Sequence, residues 1–218
     1  MRRAATPTHF ETLFRDNPDP WGTFVRRDEA VKRQAILRAC GGRAGNALEL
    51  GCGNGSNTGH LARRAHRLVA LDGSQAALDL AGRQTDRRVE LHHALLPDGV
   101  PRRAFDLVVI AELLYYLRPM EIAATARRLR LSDGARIVLA HHHVDFPDTA
   151  SRPSTVHDRF ARALRADTVR RLVARNGRWR VEVLQTGRSP RRWPIAEPSP
   201  HERVRPFKGT AERVGVWQ

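Results

Sequence analysis

The sequence predicts an α/β fold in which a mainly parallel sheet carries helices on both faces. Short apolar runs of strand length alternate with segments of helical periodicity, and a glycine-rich turn follows the first of these runs. The chain of 218 residues is long enough for one core of this kind. Because parallel strands joined through helices require right-handed crossovers, the predicted architecture is Rossmann-like and doubly wound.

The predicted strands are short apolar runs that end at turn residues. The run RLVAL stops at Asp72-Gly73, and FDLVVIA is a longer run of the same kind. Such runs are typical of strands that are buried on both faces of a sheet. Five strands are predicted at 46–50, 67–71, 89–93, 105–111 and 136–140, and a sixth at 179–185.

Between the strands, apolar residues recur at the spacing of one helix face. The hydroxyl of Ser74 can cap the helix that follows the second strand. Two further helices precede the sheet and are joined by the turn-rich sequence NPDPWG. The predicted helices cover 10–14, 28–40, 56–65, 75–82 and 119–129.

This order of elements divides the chain into three regions. Residues 1–45 are predicted to form an N-terminal helical cap or lid, and residues 46–187 the sheet domain that binds the ligand. In residues 188–218 proline and arginine accumulate without a period, which predicts an irregular basic tail.

The formal net charge of +15 raises the question of a nucleic-acid partner. Residues 151–218 hold +10 of this charge, outside the segment with the predicted ligand site, so a nucleic-acid partner is the less favoured interpretation. The sequence contains no apolar stretch of about eighteen residues, and its basic N-terminus runs directly into polar residues. With Cys40 and Cys52 as the only cysteines, the sequence predicts a cytoplasmic protein without a membrane span.

The segment LELGCGNG ends the first predicted strand with a Gly-x-Gly-x-Gly turn. Glycine in such a turn lets the backbone approach a ligand closely, because a side chain would block the approach. A dinucleotide site needs G-x-G-x-x-G, but Ser56 occupies the sixth place here. Glu49 suits a cofactor with a positively charged amino-acid end, as S-adenosylmethionine has. A tight glycine turn without a ligand is the alternative.

Further positions at the predicted strand ends indicate a ligand that contains adenosine. Asp72 ends the second predicted strand and can accept hydrogen bonds from both ribose hydroxyls, with a helix N-cap as the alternative role. Ala111 and Glu112 follow the fourth predicted strand, at the edge where ligands bind in open parallel sheets. Tyr115 and Tyr116 lie one turn further along the chain.

On these residues the chain resembles the class I methyltransferases, and more narrowly the nodulation protein S family. The glycine turn indicates only the superfamily, whereas the Asp-Pro-Trp-Gly turn and the segment AELLYYL are more specific. The resemblance spans roughly residues 9–160. The matching residues are Asp19-Pro20-Trp21-Gly22, Arg26, Glu29-Ala30, Lys32-Arg33, Leu48-Glu49-Leu50-Gly51-Cys52, Phe105-Asp106-Leu107, Ala111-Glu112, Leu114-Tyr115-Tyr116-Leu117, Asp145-Phe146-Pro147 and Val156-His157.

The resemblance implies a seven-stranded sheet that closes with an antiparallel hairpin, S-adenosylmethionine as the cofactor, and methyl transfer to the amino group of an amino sugar. Two features depart from the family pattern. Leu95 replaces an aspartate that lies near the adenine amino group, and no last strand is visible after Gly187. The candidate cofactor-binding residues are Trp21, Arg26, Glu49, Gly51, Cys52, Gly53, Asn54, Gly55, Asp72, Gly73, Leu95, Leu96 and Ala111.

An amine acceptor must be unprotonated to attack a methyl group, so a base near the strand ends would assist. The candidate catalytic residues are Glu112, His141, His142 and His157, with a solvated loop or helix as the alternative for the histidines. Three neighbouring histidines do not easily converge on one ion, so no metal site is predicted. The expected partner is a small-molecule amine or amino sugar. An RNA methyltransferase and a module that binds S-adenosylmethionine without turnover are the alternatives.

Overall fold

The structure is a computed structural model that describes residues 5–86 and 88–187. These residues form a seven-stranded sheet with the order β3-β2-β1-β4-β5-β7-β6. The predicted α/β class with a mainly parallel sheet is therefore confirmed. The strands are β1 Ala44–Leu50, β2 Ala65–Asp72, β3 Val89–His93, β4 Ala104–Ala111, β5 Arg130–His142, β6 Thr168–Arg175 and β7 Trp179–Thr186.

Helices cover the sheet on both faces in the described part of the chain. The hydroxyl of Ser74 caps the helix after β2 by accepting from the N–H of Ala77, as predicted, and Thr6 caps the first helix in the same way. The last helix was not predicted, although it buries Val156 and Phe160 along one face. The helices are α1 Pro7–Asp16, α2 Arg27–Cys40, α3 Thr58–Ala62, α4 Gln75–Gln84, α5 Pro119–Arg128 and α6 Val156–Ala163.

The strand order reverses beside β1. From β1 the chain runs outward through β2 to β3 and then returns to β4 on the other side of β1. In the register, Leu50 is the partner of both Leu71 in β2 and Ile110 in β4, so the carboxyl ends of three strands lie side by side. This reversal opens a crevice at that edge of the sheet, where ligands of such folds bind.

The antiparallel hairpin lies before Gly187 rather than after it. The predicted sixth strand at 179–185 is β7, which inserts between β5 and β6. The sequence did not reveal β6, because this edge strand exposes Arg170 and Arg171 in succession and lacks an apolar alternation. The hairpin that the family resemblance implies is therefore present as β6 and β7, although no last strand is visible in the sequence after Gly187.

The two largest apolar clusters fill the faces of the sheet. Ile36 and Leu37 of α2 belong to the cluster on one face, and Ile122 of α5 and Phe160 of α6 belong to that on the other. Each such side chain stabilises the fold by about 1.5–3 kcal/mol when fully buried. Helix α2 is thus part of the core, whereas the sequence predicted a cap or lid that extended to residue 45.

Within residues 5–86 and 88–187, each helix is too short or too polar to cross a membrane. Cys40 and Cys52 are buried thiols. The predicted basic tail at 188–218 lies outside the described residues.

Candidate active site

A cleft of about 560 Å³ opens at the carboxyl ends of β1, β2 and β4. This volume falls within the range of small-molecule sites in proteins. One side of the cleft, the glycine side, is formed by residues 51–54 and by Asp72-Gly73. The opposite side, the Glu112 side, is formed by Lys32 of α2 together with Glu112 and Tyr116, which follow β4.

The glycine turn adopts backbone angles that favour glycine. Gly51 and Gly53 have φ values of +72° and +52°, and both line the cleft. Gly55 does not line it. A Cβ atom at Gly55 would lie 2.7 Å from the Cα atom of Ala81, so this glycine lets α4 pack closely against the turn. The structure therefore places Gly55 at a packing contact, although it was predicted to bind the cofactor.

Asp72 projects into the cleft from the end of β2 and fastens the turn. Its Oδ2 atom accepts from the N–H of Gly53 at 2.8 Å, and its Oδ1 atom accepts from the N–H of Ser74 at 2.9 Å. Burial raises the pKa of Asp72, although these N–H groups lower it in part. Because a carboxylate oxygen can accept more than one hydrogen bond, both oxygens remain able to accept from a ligand.

Glu49 lies behind the turn rather than among the residues that line the cleft. Its side chain is buried, and burial raises the pKa of Glu49 to about 8. In the described part of the chain its Oε2 atom has no hydrogen-bond partner. Burial thus favours the uncharged form of Glu49, and the group lies behind the turn, whereas the sequence predicted a carboxylate that faces a cationic ligand.

Aromatic rings of the N-terminal region cover the cleft. Phe10 and Phe14 of α1 and Trp21 of the following turn line it, and the ring of Phe10 lies 4.8 Å from that of Tyr116 across the opening. Trp21, a candidate cofactor-binding residue, thus lines the cleft. Arg26 does not reach the cleft, because its guanidinium pairs with Asp28 at 3.1 Å on the surface.

Two polar contacts fasten this cover to the sheet domain. Asn54 of the glycine turn donates from Nδ2 to the carbonyl oxygen of Pro18 at 3.0 Å and to Oδ1 of Asp19 at 3.2 Å. Glu11 of α1 accepts from the hydroxyl of Ser74 at 2.7 Å and from the N–H of Ala76 at 3.1 Å, at the start of α4. Both contacts join segments that are far apart in sequence, so the sequence alone did not reveal them.

Glu112 lies at the centre of a polar cluster and has a φ of +51°, which is unusual for a residue with a side chain. Its carboxylate accepts from Nζ of Lys32 at 2.7 Å, from the hydroxyl of Tyr115, and from the backbone N–H of His142 at 3.2 Å; it also contacts the Nδ1 atom of His142 at 2.8 Å. Burial alone would raise the pKa of Glu112, but Lys32 and His142 outweigh burial and hold the pKa well below 4.5. The group is an ionised anchor rather than a ready proton acceptor.

The predicted catalytic histidines do not line the cleft. His141 and His157 are fully buried behind it, and burial lowers the pKa of each. His142 reaches the cleft only through Glu112. The structure thus corrects the expectation of a histidine that faces the substrate, and also the alternative of a solvated helix at His157. No group of three or more His, Cys, Asp or Glu side chains in residues 5–86 and 88–187 is arranged to hold a metal ion.

Comparison with known proteins identifies the fold around this cleft. Residues 47–132 match the family model described as a methyltransferase domain. This segment is similar to methyltransferase domains.

Curated relatives agree with the resemblance seen in the sequence. Nodulation protein S of Rhizobium tropici is 32% identical over 105 residues, which are 45% of this chain and 43% of that protein. Nodulation protein S of Bradyrhizobium diazoefficiens is 33% identical over 118 residues, 51% of this chain and 56% of that protein. The chain spans about half the length of the curated relatives it matches.

Solved structures show the same fold over a larger part of the chain. The N-methyltransferase NodS from Bradyrhizobium japonicum WM9, in complex with S-adenosyl-L-homocysteine, is similar with a TM-score of 0.69 and 22% identity, covering 82% of this chain and 97% of that one. The DhpI–SAH complex has a TM-score of 0.66 and 21% identity, covering 84% and 96%. The predicted resemblance to nodulation protein S is confirmed.

Several residues that line the cleft were not among the sequence candidates. Lys32 and Arg33 had a signal, since this basic pair lies in the segment shared with the nodulation protein S family. Arg33 donates to the carbonyl oxygen of Thr23, and its Nε atom is buried without a partner in the described residues. No sequence pattern indicated that Phe10 and Phe14 line the cleft, because only the packing of α1 brings their rings over it.

Proposed function

We propose that this chain is an S-adenosylmethionine-dependent methyltransferase that N-methylates an amino group of an amino sugar or a similar polar small molecule. The observation that carries the proposal is the shared position of the glycine turn and Asp72, which line one cleft at the strand-order reversal. Ligands bind at this point in open α/β sheets.

The residues of the glycine side suit the parts of S-adenosylmethionine. Asp72 could hold the ribose hydroxyls, and Gly51 and Gly53 admit the ligand close to the backbone. Leu95 and Leu96 line the cleft and offer an apolar wall for the adenine ring. Arg33, with its unpaired buried Nε atom, could hold the carboxylate of the amino-acid end.

The charge of the cleft differs from that of the whole chain. The chain has a formal net charge of +15, whereas four acids and three bases line the cleft in the described residues. This near balance suits a cationic sulfonium and an amine acceptor, and it offers little attraction to a polyanion. The charged lining residues are Glu29, Asp72, Glu112, Glu121, Lys32, Arg33 and Arg118.

The cofactor, when bound, supplies an already activated methyl group, so the protein is left with binding, orientation and exclusion of water. The rings of Phe10, Phe14 and Trp21 keep water from the opening of the cleft. We propose that Glu112 orients the reacting groups as a fixed anion, because four polar contacts already occupy its carboxylate. The acceptor amine then loses its proton to solvent before it attacks.

Similarity to nodulation protein S supports an amine as the acceptor, since a related fold is named an N-methyltransferase. Further polar side chains that line the cleft, including Glu29, Glu121 and Arg118, suit a hydroxyl-rich ligand that carries an amine. An amine acceptor also predicts a rate that rises toward alkaline pH, as more of the amine becomes unprotonated.

A methyl-transfer assay tests the proposal. The purified chain is incubated with S-adenosylmethionine labelled in its methyl group and with amino sugars, aminoglycosides, a phenol and bulk RNA. We expect label on the amino compounds, and we expect Asp72→Ala to lower it in parallel with cofactor binding. Label on RNA or on the phenol, with every amino compound left unlabelled, would contradict the amine assignment.

A further inference from the structure

A chain of buried hydrogen bonds runs from the turn after β4 to the outer edge of the sheet. The N–H of Leu114 donates to Nε2 of His141 at 3.1 Å, and Nδ1 of His141 lies 2.9 Å from Nε2 of His157. Nδ1 of His157 lies 2.7 Å from Oε2 of Glu182, which accepts from Arg170 at 2.6 Å. The chain therefore joins the two strands of the hairpin to the cleft-forming turn.

The Leu114 amide, at the inner end of this chain, determines which atom of each pair is the donor. A backbone N–H can only donate, so Nε2 of His141 must accept and carries no proton. In a neutral imidazole the proton of His141 is then on Nδ1 and is donated to Nε2 of His157. His157 in turn carries its proton on Nδ1 and donates it to the carboxylate of Glu182.

The outer end of the chain agrees with this direction. Burial would raise the pKa of Glu182, but hydrogen bonds from His157 and Arg170 lower it to about 2, so the group is an anion that only accepts. Burial lowers the pKa of both histidines and favours their neutral forms. All four hydrogen bonds can thus form at once in a single arrangement of protons.

The turn whose Leu114 amide binds His141 also carries a residue of the Glu112 side of the cleft. Leu114 and Tyr115 lie in a short 3-10 turn that begins two residues after Glu112, and the ring of Tyr115 packs edge-on against that of His141 at 5.5 Å. Tyr115 donates its hydroxyl to Glu112, and Tyr116 lines the cleft. A rotation of the Leu114 amide would therefore displace groups on both sides of it.

We infer that Glu182 is a positioning residue, which acts through His157 and His141 to hold the Leu114 amide and so keeps Glu112 and Tyr116 in place. The expected effect of Glu182 on turnover rests on the proposed function. Because the chain of hydrogen bonds ends at an amide, which does not give up its proton, it is not a route for the proton of the acceptor. Glu182 instead selects one tautomer of each histidine.

Glu182→Gln tests the inference, since the amide of Gln can either accept from His157 or donate to it. In the wild type at pH 7, long-range proton–nitrogen spectra of the imidazoles should show both histidines with the proton on Nδ1. In Glu182→Gln we expect a second tautomer of His141 and amide exchange of Leu114 at least about tenfold faster. We expect kcat to fall roughly tenfold, as a charged acceptor is replaced by a neutral one, with the Kd for S-adenosylhomocysteine within about twofold of wild type.

Two variants serve as controls. Arg170→Gln removes the outer partner but leaves the carboxylate, so it should preserve both tautomers and most of kcat. Glu90→Gln removes the same charge from an exposed site on β3 and should change none of these measurements.

A proton on Nε2 of His141 in the wild type would overturn the inference. It would also be overturned if Glu182→Gln lowered kcat no more than Arg170→Gln, or weakened S-adenosylhomocysteine binding in step with kcat. Failure of the proposed function gives a different result, because the wild type would then neither bind S-adenosylhomocysteine nor transfer a methyl group. The histidine tautomers and the amide exchange rate of Leu114 would still test whether Glu182 positions the turn.

Discussion

The glycine side and the Glu112 side of the cleft are built by different means. The glycine side comes from two short turns, residues 51–54 and Asp72-Gly73, and much of what it presents is backbone. The Glu112 side joins side chains that are 80 residues apart, as in the Lys32–Glu112 contact, or 30 apart, as in the contact between Glu112 and His142. The first side depends on local conformation, and the second depends on charges that must be brought together by folding.

Removal of a charge from the Glu112 side should have the largest effect on stability. Lys32 is 3% exposed and its Nζ atom lies 2.8 Å from Glu29 and 2.7 Å from Glu112. Lys32→Met leaves these carboxylates without their cation, so we expect a loss of about 3–5 kcal/mol in the free energy of unfolding, measured in urea at pH 7. The double variant Lys32→Met/Glu112→Gln should recover part of this loss, and a single variant as stable as the wild type would contradict the account of the cluster.

On the glycine side, the largest effect should be on binding rather than on stability. Asp72→Ala removes the carboxylate assigned to the ribose hydroxyls, so we expect affinity for S-adenosylhomocysteine to fall by about 1.5–3 kcal/mol. Calorimetry measures this change, with Asp79→Ala on the exposed face of α4 as the matched control. Unchanged affinity in Asp72→Ala would remove Asp72 from the proposed cofactor site.

The pH dependence of stability tests the protonation state of Glu49, which lies behind the glycine side. Its pKa is about 8 in the folded protein and near 4.5 when exposed, so between these values the native state binds a proton that the unfolded state does not. Its contribution to stability is therefore complete below pH 4.5 and is lost as pH rises toward 8. Relative to Glu49→Gln, which is neutral throughout, the wild type should lose about 1.4 kcal/mol for each pH unit in this window.

Denaturant unfolding of both proteins at pH 5, 6, 7 and 8 measures that difference. If the stability difference between the wild type and Glu49→Gln stayed constant with pH, Glu49 would be ionised in the folded state. The sequence-based expectation of a carboxylate in the cofactor site would then be restored.

The cover over both sides should respond to loss of the Glu11 contact with α4. Glu11→Gln weakens the bonds to Ser74 and Ala76, and we expect limited proteolysis within residues 5–26 to become roughly threefold faster, as lost hydrogen bonds favour local opening. Asp16→Asn removes the same charge from an exposed position of α1 and is the control. Saturating S-adenosylhomocysteine should slow cleavage in all three proteins, whereas equal rates with and without it would argue against a lid.

The smallest effect should come from Leu95, which lines the cleft and is 54% exposed. The family resemblance implies an aspartate at this position near the adenine amino group. Leu95→Asp should therefore add one hydrogen bond and tighten S-adenosylhomocysteine binding by about threefold to tenfold. Weaker binding in calorimetry would show that the apolar wall matters more than the hydrogen bond.

The sequence by itself determined the features that depend on short segments. Apolar runs between turn residues located β1 to β5, the Ser74 cap was predicted from its position before α4, and the glycine turn and Asp72 indicated the edge of the sheet that binds a ligand. These features could be predicted because strand burial, helix capping and positive φ angles depend on a few consecutive residues.

Only the tertiary structure decided which side chains meet. In the folded protein Gly55 and Arg26 lie outside the cleft, and Glu49 is a buried acid. His141 and His157 belong to a hydrogen-bonded chain that ends at Glu182. The physical reason is that pKa values and hydrogen-bond partners depend on what surrounds a group after folding. An edge strand such as β6, which exposes most of its side chains, leaves no pattern in the sequence from which those surroundings could be predicted.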